Sequence, residues 1–338
     1  MKKRNLCTAI CAALGMLVLI FDGKTALAGA AEGVTLCLNT LIPSLFPFFL
    51  MSILLTSTLA GQAVVPLRPI AAACGIPKKA EFLLAIGLLG GYPVGAKNVA
   101  LLYSSGQLTP SQAARMIVFC NNAGPAFIFG ILGSMFSDPR IPWLLWAVHI
   151  ASALLVGMLL PGNAPTGAVE ACRQKVRVTD ALEQAVKVMA LVCGWVVLMR
   201  MVLAFLDRWL LWILPLPVQV ATAGILELSN GCIRLSQLGI EGLRFIIAAG
   251  LLSLGGVCVT LQTASVADRI PMRLYFPGKI LQCSISVLMS CVLQIVFPAS
   301  MRCHCGAVAL TAGIIGFGCL LSLRYSEKSS RIPEPIGV

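Results

Sequence analysis

The stretch Gly90-Gly91-Tyr92-Pro93-Val94-Gly95-Ala96-Lys97 interrupts an apolar run that extends over residues 82–102. Glycine and proline weaken a helix, and an ammonium group is costly to place in hydrocarbon. A straight helix facing lipid would not carry three glycines, a proline and a lysine at its centre. We therefore interpret residues 82–102 as a discontinuous helix or a re-entrant hairpin inside a membrane protein.

The composition of the whole chain indicates the same class of protein. Of its 338 residues, 58% are hydrophobic and 11% are charged, whereas about a quarter of the residues in a soluble domain are charged. At about 20 apolar residues per spanning helix, the hydrophobic residues would suffice for roughly nine or ten spans. A soluble enzyme with one buried core is excluded. We predict an all-α polytopic membrane protein with about 8–9 transmembrane helices, because some of the apolar runs are interrupted.

Basic residues outnumber acidic ones, with 25 Lys and Arg against 13 Asp and Glu and a net charge of +12. They cluster between the apolar runs, at residues 2–4, 78–79, 173–177 and 324–331, as in loops that are retained on the cytoplasmic side. No basic run is interleaved with aromatic residues, so we predict a lipid bilayer as partner and no nucleic acid. The expected location is the bacterial cytoplasmic (inner) membrane, which the chain crosses several times.

Fourteen cysteines are scattered through the chain without a repeated CxxC pair. Most lie in apolar segments, where a thiol behaves as a small hydrophobic group. The cluster Cys303-His304-Cys305 offers three metal-ligating groups but no fourth ligand. We therefore predict no metal site and no cofactor.

The chain contains an internal repeat that is centred on two broken helices. Residues 82–89 (FLLAIGLL) align with residues 245–252 (FIIAAGLL) without a gap, and residues 90–94 align with residues 255–259 after a two-residue insertion. We predict a membrane anchor span at 1–32, a first repeat at 33–162, a basic cytoplasmic loop at 163–187, a second repeat at 188–323 and a polar tail at 324–338. Residues 1–28 also fit a cleaved signal peptide, and the sequence leaves open whether the repeats are parallel or inverted.

Breaks at membrane depth leave backbone N–H and C=O groups that a polar ligand or ion can satisfy. The candidate substrate- or ion-binding residues are the small, polar and charged residues at the breaks and in neighbouring apolar runs. They are Gly90, Gly91, Tyr92, Pro93, Gly95, Lys97, Asn121, Asn122, Gly124, Pro125, Glu227, Asn230, Gly255, Gly256 and Gln262.

Each candidate also has a purely structural interpretation. The glycines could serve close helix packing, and the two asparagines could form hydrogen bonds between helices. Glu227 could be a solvated cap if its apolar run ends there, or a proton or cation site if the run continues. Lys97 could neutralise an anionic substrate or form a salt bridge, for example with Glu227. His149 is alone in a span and is expected to be a packed, hydrogen-bonded residue, whereas Arg200 could be functional or paired.

Several strings of this sequence are similar to motifs of one bacterial family. They are residues 43–49 (PSLFPFF), 91–97 (GYPVGAK), 119–125 (FCNNAGP), 226–231 (LELSNG) and 255–262 (GGVCVTLQ). In this order the chain resembles the YlbJ-type sporulation integral membrane proteins, with Cys258 as a departure from the family pattern. The resemblance implies membership of the wider nucleoside-recognition "Gate" group, two Gate-like repeats, a role in spore cortex formation and an activity in transport.

We therefore predict a secondary transporter of a small polar solute or ion. The motifs of serine hydrolases, zinc proteases and nucleotide-binding loops are absent from the sequence, so we predict neither an enzyme nor transport driven by ATP bound to this chain. The alternative is a non-transporting membrane scaffold that recruits sporulation or envelope-assembly partners through residues 163–187. Homo-oligomers and other sporulation membrane proteins are further partners that the sequence leaves open.

Overall fold

The computed structural model describes residues 3–59, 62–160, 176–267, 269–296 and 302–330. Within these ranges the chain is helical and contains no β-strand. The α-helices are α1 (Lys3–Phe21), α2 (Gly23–Leu36), α3 (Ile42–Leu59), α4 (Arg68–Ala73), α5 (Phe82–Leu89), α6 (Val94–Ser104), α7 (Pro110–Phe119), α8 (Pro125–Gly130), α9 (Ile141–Leu159), α10 (Val178–Trp209), α11 (Leu216–Leu226), α12 (Leu228–Arg234), α13 (Glu241–Leu254), α14 (Gly256–Val266), α15 (Tyr275–Leu293) and α16 (Gly306–Ser330).

Six helical segments of the described chain are long and apolar enough to cross a membrane. A helix of about 20 residues spans about 30 Å, the thickness of the hydrocarbon core. The six segments are Gly23–Leu59, Ile141–Leu159, Val178–Trp209, Glu241–Val266, Met272–Leu293 and Gly306–Arg324. They confirm the predicted all-α, multi-pass membrane fold.

The segment Gly23–Leu59 accommodates its prolines by a change of helix type. A π-helical turn, Cys37–Leu41, joins α2 to α3 just before Pro43. Proline has no N–H to continue an α-helical ladder, and π-helical turns occur mostly as single turns inside α-helices. Pro47 then lies inside α3. The result is one long rod that packs along α10.

Helix α10 begins earlier than the predicted span. The sequence assigned residues 163–187 to a loop, but Val178–Trp209 is one helix of 32 residues. Its first turns carry an ion pair between Glu183 and Lys187, at 2.6 Å and four residues apart, which supports an exposed helix. Residues 163–175 of that predicted loop lie outside the described residues.

Four helices of the described chain are interrupted at short non-helical segments. The interruptions lie between α5 and α6, between α7 and α8, at Glu227 between α11 and α12, and at Gly255 between α13 and α14. The sequence predicted three of them as breaks inside apolar runs. Residues 209–228 form one apolar run in the sequence, whereas the structure ends α10 at Trp209 and starts α11 at Leu216. Glu227 is therefore the junction of two short helices.

Candidate functional site

The two breaks of the first half pack backbone against backbone. A Cβ atom added to Gly95 would lie 1.8 Å from the Cys120 carbonyl oxygen, and one added to Gly124 would lie 2.9 Å from the Gly91 nitrogen. Gly91 has a φ of +78°, in the left-handed region that favours glycine. The small residues that the sequence marked as candidates are thus required for this contact.

The local sequence explains where α7 begins and ends, and therefore why its C-terminal end lies at this contact. Thr109 begins the helix with a capping box, in which its hydroxyl accepts from the Gln112 N–H at 3.2 Å. The Gln112 side chain in turn accepts from the Thr109 N–H at 2.9 Å. The helix ends after Phe119, and Pro125 starts α8, because proline is well tolerated at the first helical position. Pro93 similarly precedes the first residue of α6.

The second half forms an equivalent close contact between its own breaks. A Cβ atom added to Gly256 would lie 2.6 Å from the Ile225 carbonyl oxygen, and Gly255 and Gly256 have φ values of +72° and +77°. This contact brings the start of α14 against the end of α11, directly before Glu227. Both pairs of breaks therefore depend on glycine for the approach of two chains.

Hydrogen bonds connect the breaks of one half to the helices of the other. The Tyr92 hydroxyl donates to the Leu252 carbonyl at 3.1 Å. Asn121 donates through Nδ2 to Thr263 Oγ1 at 2.8 Å and to Tyr275 Oη at 3.1 Å. All of these groups are buried. The two halves thus meet at one polar centre, which we call the junction.

The junction contains a lysine that is not among the residues predicted from the sequence. Lys279 on α15 has no exposed surface. Its Nζ donates to the Asn121 carbonyl oxygen at 2.6 Å and to Gln282 Oε1 at 2.9 Å. Longer contacts of 3.4 Å reach Asn122 Oδ1 and Tyr92 Oη. No carboxylate of the described residues forms an ion pair with it.

Glu227 is a buried residue and also a helix cap. Its side chain is 2% exposed, with Oε1 accepting from the Ser229 N–H at 3.0 Å. Oε2 accepts from the Asn230 N–H and side-chain amide, each at 2.7 Å. The carboxylate therefore satisfies the free N–H groups of α12, and the helix N-terminus favours its charge. Of the two sequence interpretations, the cap is present, but it is not solvated.

A small cavity lies between the breaks. Its volume is about 40 Å³, room for no more than a few water molecules. Polar or break residues of both halves line it, namely Gly91, Tyr92, Gly124, Glu227, Ser229 and Gln262. Gln262 donates to the Cys258 sulfur at 3.3 Å. The cavity connects two of the predicted charged or polar candidates, Glu227 and Gln262, with the first break.

His149 joins the halves as a hydrogen-bonded residue of the interior. Its Nε2 accepts from the Ala123 N–H at 3.1 Å. The proton of the neutral ring is then on Nδ1, which lies 3.3 Å from the Ser253 hydroxyl and donates to it. His149 therefore satisfies a free N–H in the break between α7 and α8. It also forms a hydrogen bond to α13, which ends at the Gly255 break.

Two predicted residues lie away from the junction. Lys97 is half-buried and donates to Gln184 Oε1 at 2.9 Å rather than to Glu227. It lines a separate cavity of about 310 Å³. Gly90, in turn, approaches α3: a Cβ atom there would lie 3.1 Å from Ser52 Oγ. Both residues belong to the surroundings of the first break.

Arg200 is paired. It forms an ion pair with Glu32 and another, at 3.5 Å, with Asp207, which Arg234 also contacts at 2.5 Å. This cluster binds α2, α10 and α12 together. Within the described residues, no group of three or more His, Cys, Asp or Glu side chains is arranged to hold a metal ion.

Apolar spans, interrupted helices and a buried polar junction define a multi-pass α-helical membrane protein. The chain is 25% identical over 300 residues to the sporulation integral membrane protein YlbJ of Bacillus subtilis (strain 168), an alignment that covers 74% of this chain and 73% of the relative. No family model and no solved structure matches the chain. The similarity confirms the resemblance to the YlbJ-type sporulation integral membrane proteins that the sequence motifs indicate.

Proposed function

We propose that this protein is a secondary transporter of a small polar solute or ion across the bacterial cytoplasmic membrane, and that it acts in sporulation, as the name of its relative indicates. The observation that carries the proposal is the meeting of four interrupted helices at one polar junction. Interrupted helices inside a bilayer are stable only where protein or a water-filled cavity satisfies their backbone groups. Such breaks, placed at the interface of two repeats, are typical of secondary transporters.

The buried charges support the same proposal. Lys279 and Glu227 are almost completely enclosed in the interior of a chain of which 58% is hydrophobic. A charged side chain at membrane depth costs several kcal/mol, roughly 2.5–3.5 on insertion scales. Packing alone is better served by apolar residues of similar volume. Charged residues buried at this cost are typical of the pathways of ions and solutes in membrane proteins.

The contacts between the halves suit a moving interface. Those at the junction include hydrogen bonds made by side chains, such as Tyr92 to Leu252 and Asn121 to Thr263. Bonds of this kind contribute about 1 kcal/mol each, so a bound solute can offset their loss. In the proposed cycle, one set of broken helices rocks against the other and exposes the cavity to alternate sides.

Flux into proteoliposomes tests the proposal. Full-length protein is reconstituted, and uptake of labelled nucleosides, amino acids, carboxylic acids and inorganic ions is measured against empty liposomes. We expect saturable uptake of at least one solute, and loss of most of that uptake in Asn122→Ala. The matched control is Gly194→Ala, because Gly194 has no atom within 4 Å of an added Cβ. Uptake that equals that of empty liposomes for every solute, from folded protein, would contradict the proposal.

The alternative scaffold makes a different prediction. A scaffold would dock partners through residues 163–187 and would have no use for a buried ammonium and carboxylate at the junction. Replacing residues 163–175 with a neutral linker separates the two functions. Loss of the sporulation phenotype with intact flux favours the scaffold, whereas loss through Asn122→Ala favours transport.

A further inference from the structure

The oxygen atoms around Lys279 form a site of the type that binds an alkali cation. One is the backbone carbonyl of Asn121, freed by the break between α7 and α8, and two are amide oxygens, from Asn122 and Gln282. The fourth is the Tyr92 hydroxyl, from the other break of the first half. In channels and transporters, unwound backbone carbonyls and neutral oxygens of this kind replace the hydration shell of sodium or potassium.

The site is oriented toward a cation even without the lysine. Gln282 Nε2 donates to Asn122 Oδ1 at 3.1 Å, and Asn122 Nδ2 donates to the Phe119 carbonyl at 2.6 Å. These bonds fix the Asn122 amide with its oxygen toward the Lys279 nitrogen. The ammonium also lies 5.2 Å and 5.9 Å from the ring centres of Tyr92 and Tyr275, whose faces attract a cation.

Lys279 itself fits the role of the cation. An ammonium presents three donors on a flexible stem, and here they meet oxygen acceptors only. No carboxylate of the described chain balances the charge, so the oxygen atoms and rings must offset its burial. A structural lysine would be expected to have an acidic partner.

We propose that the Lys279 ammonium is a tethered cation that permanently fills an alkali-cation site at the junction, so that the protein works without dissolved sodium or potassium at this position. This proposal concerns the same junction and rests on the proposed transport function. The occupancy of the site can nevertheless be measured without any transport.

Thermal unfolding of the full-length protein in detergent tests the occupancy. Melting temperatures are compared in sodium, potassium and choline chloride at equal ionic strength for wild type, Lys279→Ala, Lys279→Met and Lys187→Ala. In Lys279→Ala the side chain is truncated and the oxygen atoms remain, so a free cation can enter. Lys279→Met removes the charge but fills the space. Lys187, an exposed lysine paired with Glu183, provides the matched control.

We expect wild type and Lys187→Ala to melt at the same temperature in all three salts. Lys279→Ala should melt lower in choline and recover by about 3 °C or more in sodium or potassium, whereas Lys279→Met should show no such recovery. The proposal is overturned if sodium or potassium stabilises the wild type, or if Lys279→Ala responds to salt no more than Lys279→Met.

A second measurement decides the question if the Lys279 variants do not fold. Binding of ²²Na⁺ is measured on wild type and on Asn122→Ala. The proposal predicts no sodium binding that depends on Asn122, and saturable binding that Asn122→Ala abolishes would overturn it. Because both assays use protein in detergent, their failure is distinct from a failure of flux in proteoliposomes.

Discussion

Gly95→Ala is the substitution that most sharply tests the contact between the first two breaks. The new Cβ atom would lie 1.8 Å from the Cys120 carbonyl oxygen, 2.9 Å from its carbon and 3.0 Å from the Asn121 Cα. Carbon and oxygen atoms in contact are normally at least about 3.3 Å apart, so the two backbones must separate by roughly 1.5 Å. No flexible side chain can absorb this shift.

The cost follows from two effects. Overpacking of a close contact costs about 1–3 kcal/mol, and the separation also breaks the bond from the Ala96 N–H to Asn121 Oδ1, 3.3 Å long, which contributes about 1 kcal/mol. Together they predict a loss of about 3 kcal/mol in the free energy of unfolding. At roughly 1–2 °C per kcal/mol for a chain of this length, the melting temperature should fall by about 3–6 °C.

The assay is thermal unfolding of purified full-length protein, with Gly194→Ala as the control. Gly194 lies inside α10 with open space around it, so alanine there should raise the stability by about 0.5–1 kcal/mol through helix propensity. If Gly95→Ala melts at the temperature of the wild type while the control behaves as expected, the two breaks do not pack backbone against backbone. The described contact between Gly95 and Cys120 would then be contradicted.

Substitutions at three further positions separate the cap, the histidine and the ion-pair cluster. Glu227→Ala removes the acceptor of two N–H groups of α12 and should lower the free energy of unfolding by about 1–2 kcal/mol. Glu227→Gln keeps an acceptor oxygen and should lose less stability in thermal unfolding. Equal losses in the two variants would argue against the cap. His149→Ala leaves the Ala123 N–H without its acceptor and should cost about 1–3 kcal/mol, whereas an unchanged melting temperature would contradict the assigned bond. Arg200→Ala removes two partly exposed ion pairs, with Glu32 and with Asp207, and should cost about 1 kcal/mol or less. Flux should be retained because the cluster lies outside the junction, and loss of flux from a stable variant would show that this expectation is wrong.

The sequence predicted the fold class from features that are local. Long apolar runs and basic connecting segments are sufficient for a multi-pass helical protein, and glycine, proline and amide residues inside such runs indicate where helices are interrupted. The interruption at Glu227 was harder to predict, because the prolines before it and the apolar residues around it fit a single span as well as two short helices. The early start of α10 was missed because its first turns are polar and exposed.

Lys279 could not be assigned from local sequence. It lies near the start of the apolar run over residues 276–297, where a lysine ordinarily extends its ammonium group to the membrane surface. Its burial depends on Asn121, which is 158 residues away in the chain. The one signal in the sequence was that Lys279, unlike the basic clusters, falls inside an apolar run. Contacts of this range follow from the packing of helices and not from periodicity or composition.

The initial rate of solute uptake by proteoliposomes that contain Gly91→Leu tests the central claim most directly. Gly91 combines a φ of +78° with direct contact to Gly124, so a leucine there should separate the breaks and fill the cavity. Gly194→Leu is the matched control, since that position has open space. We predict that uptake falls to the level of empty liposomes in Gly91→Leu and is retained in Gly194→Leu. Full uptake by folded Gly91→Leu would contradict the claim that the junction is the transport site.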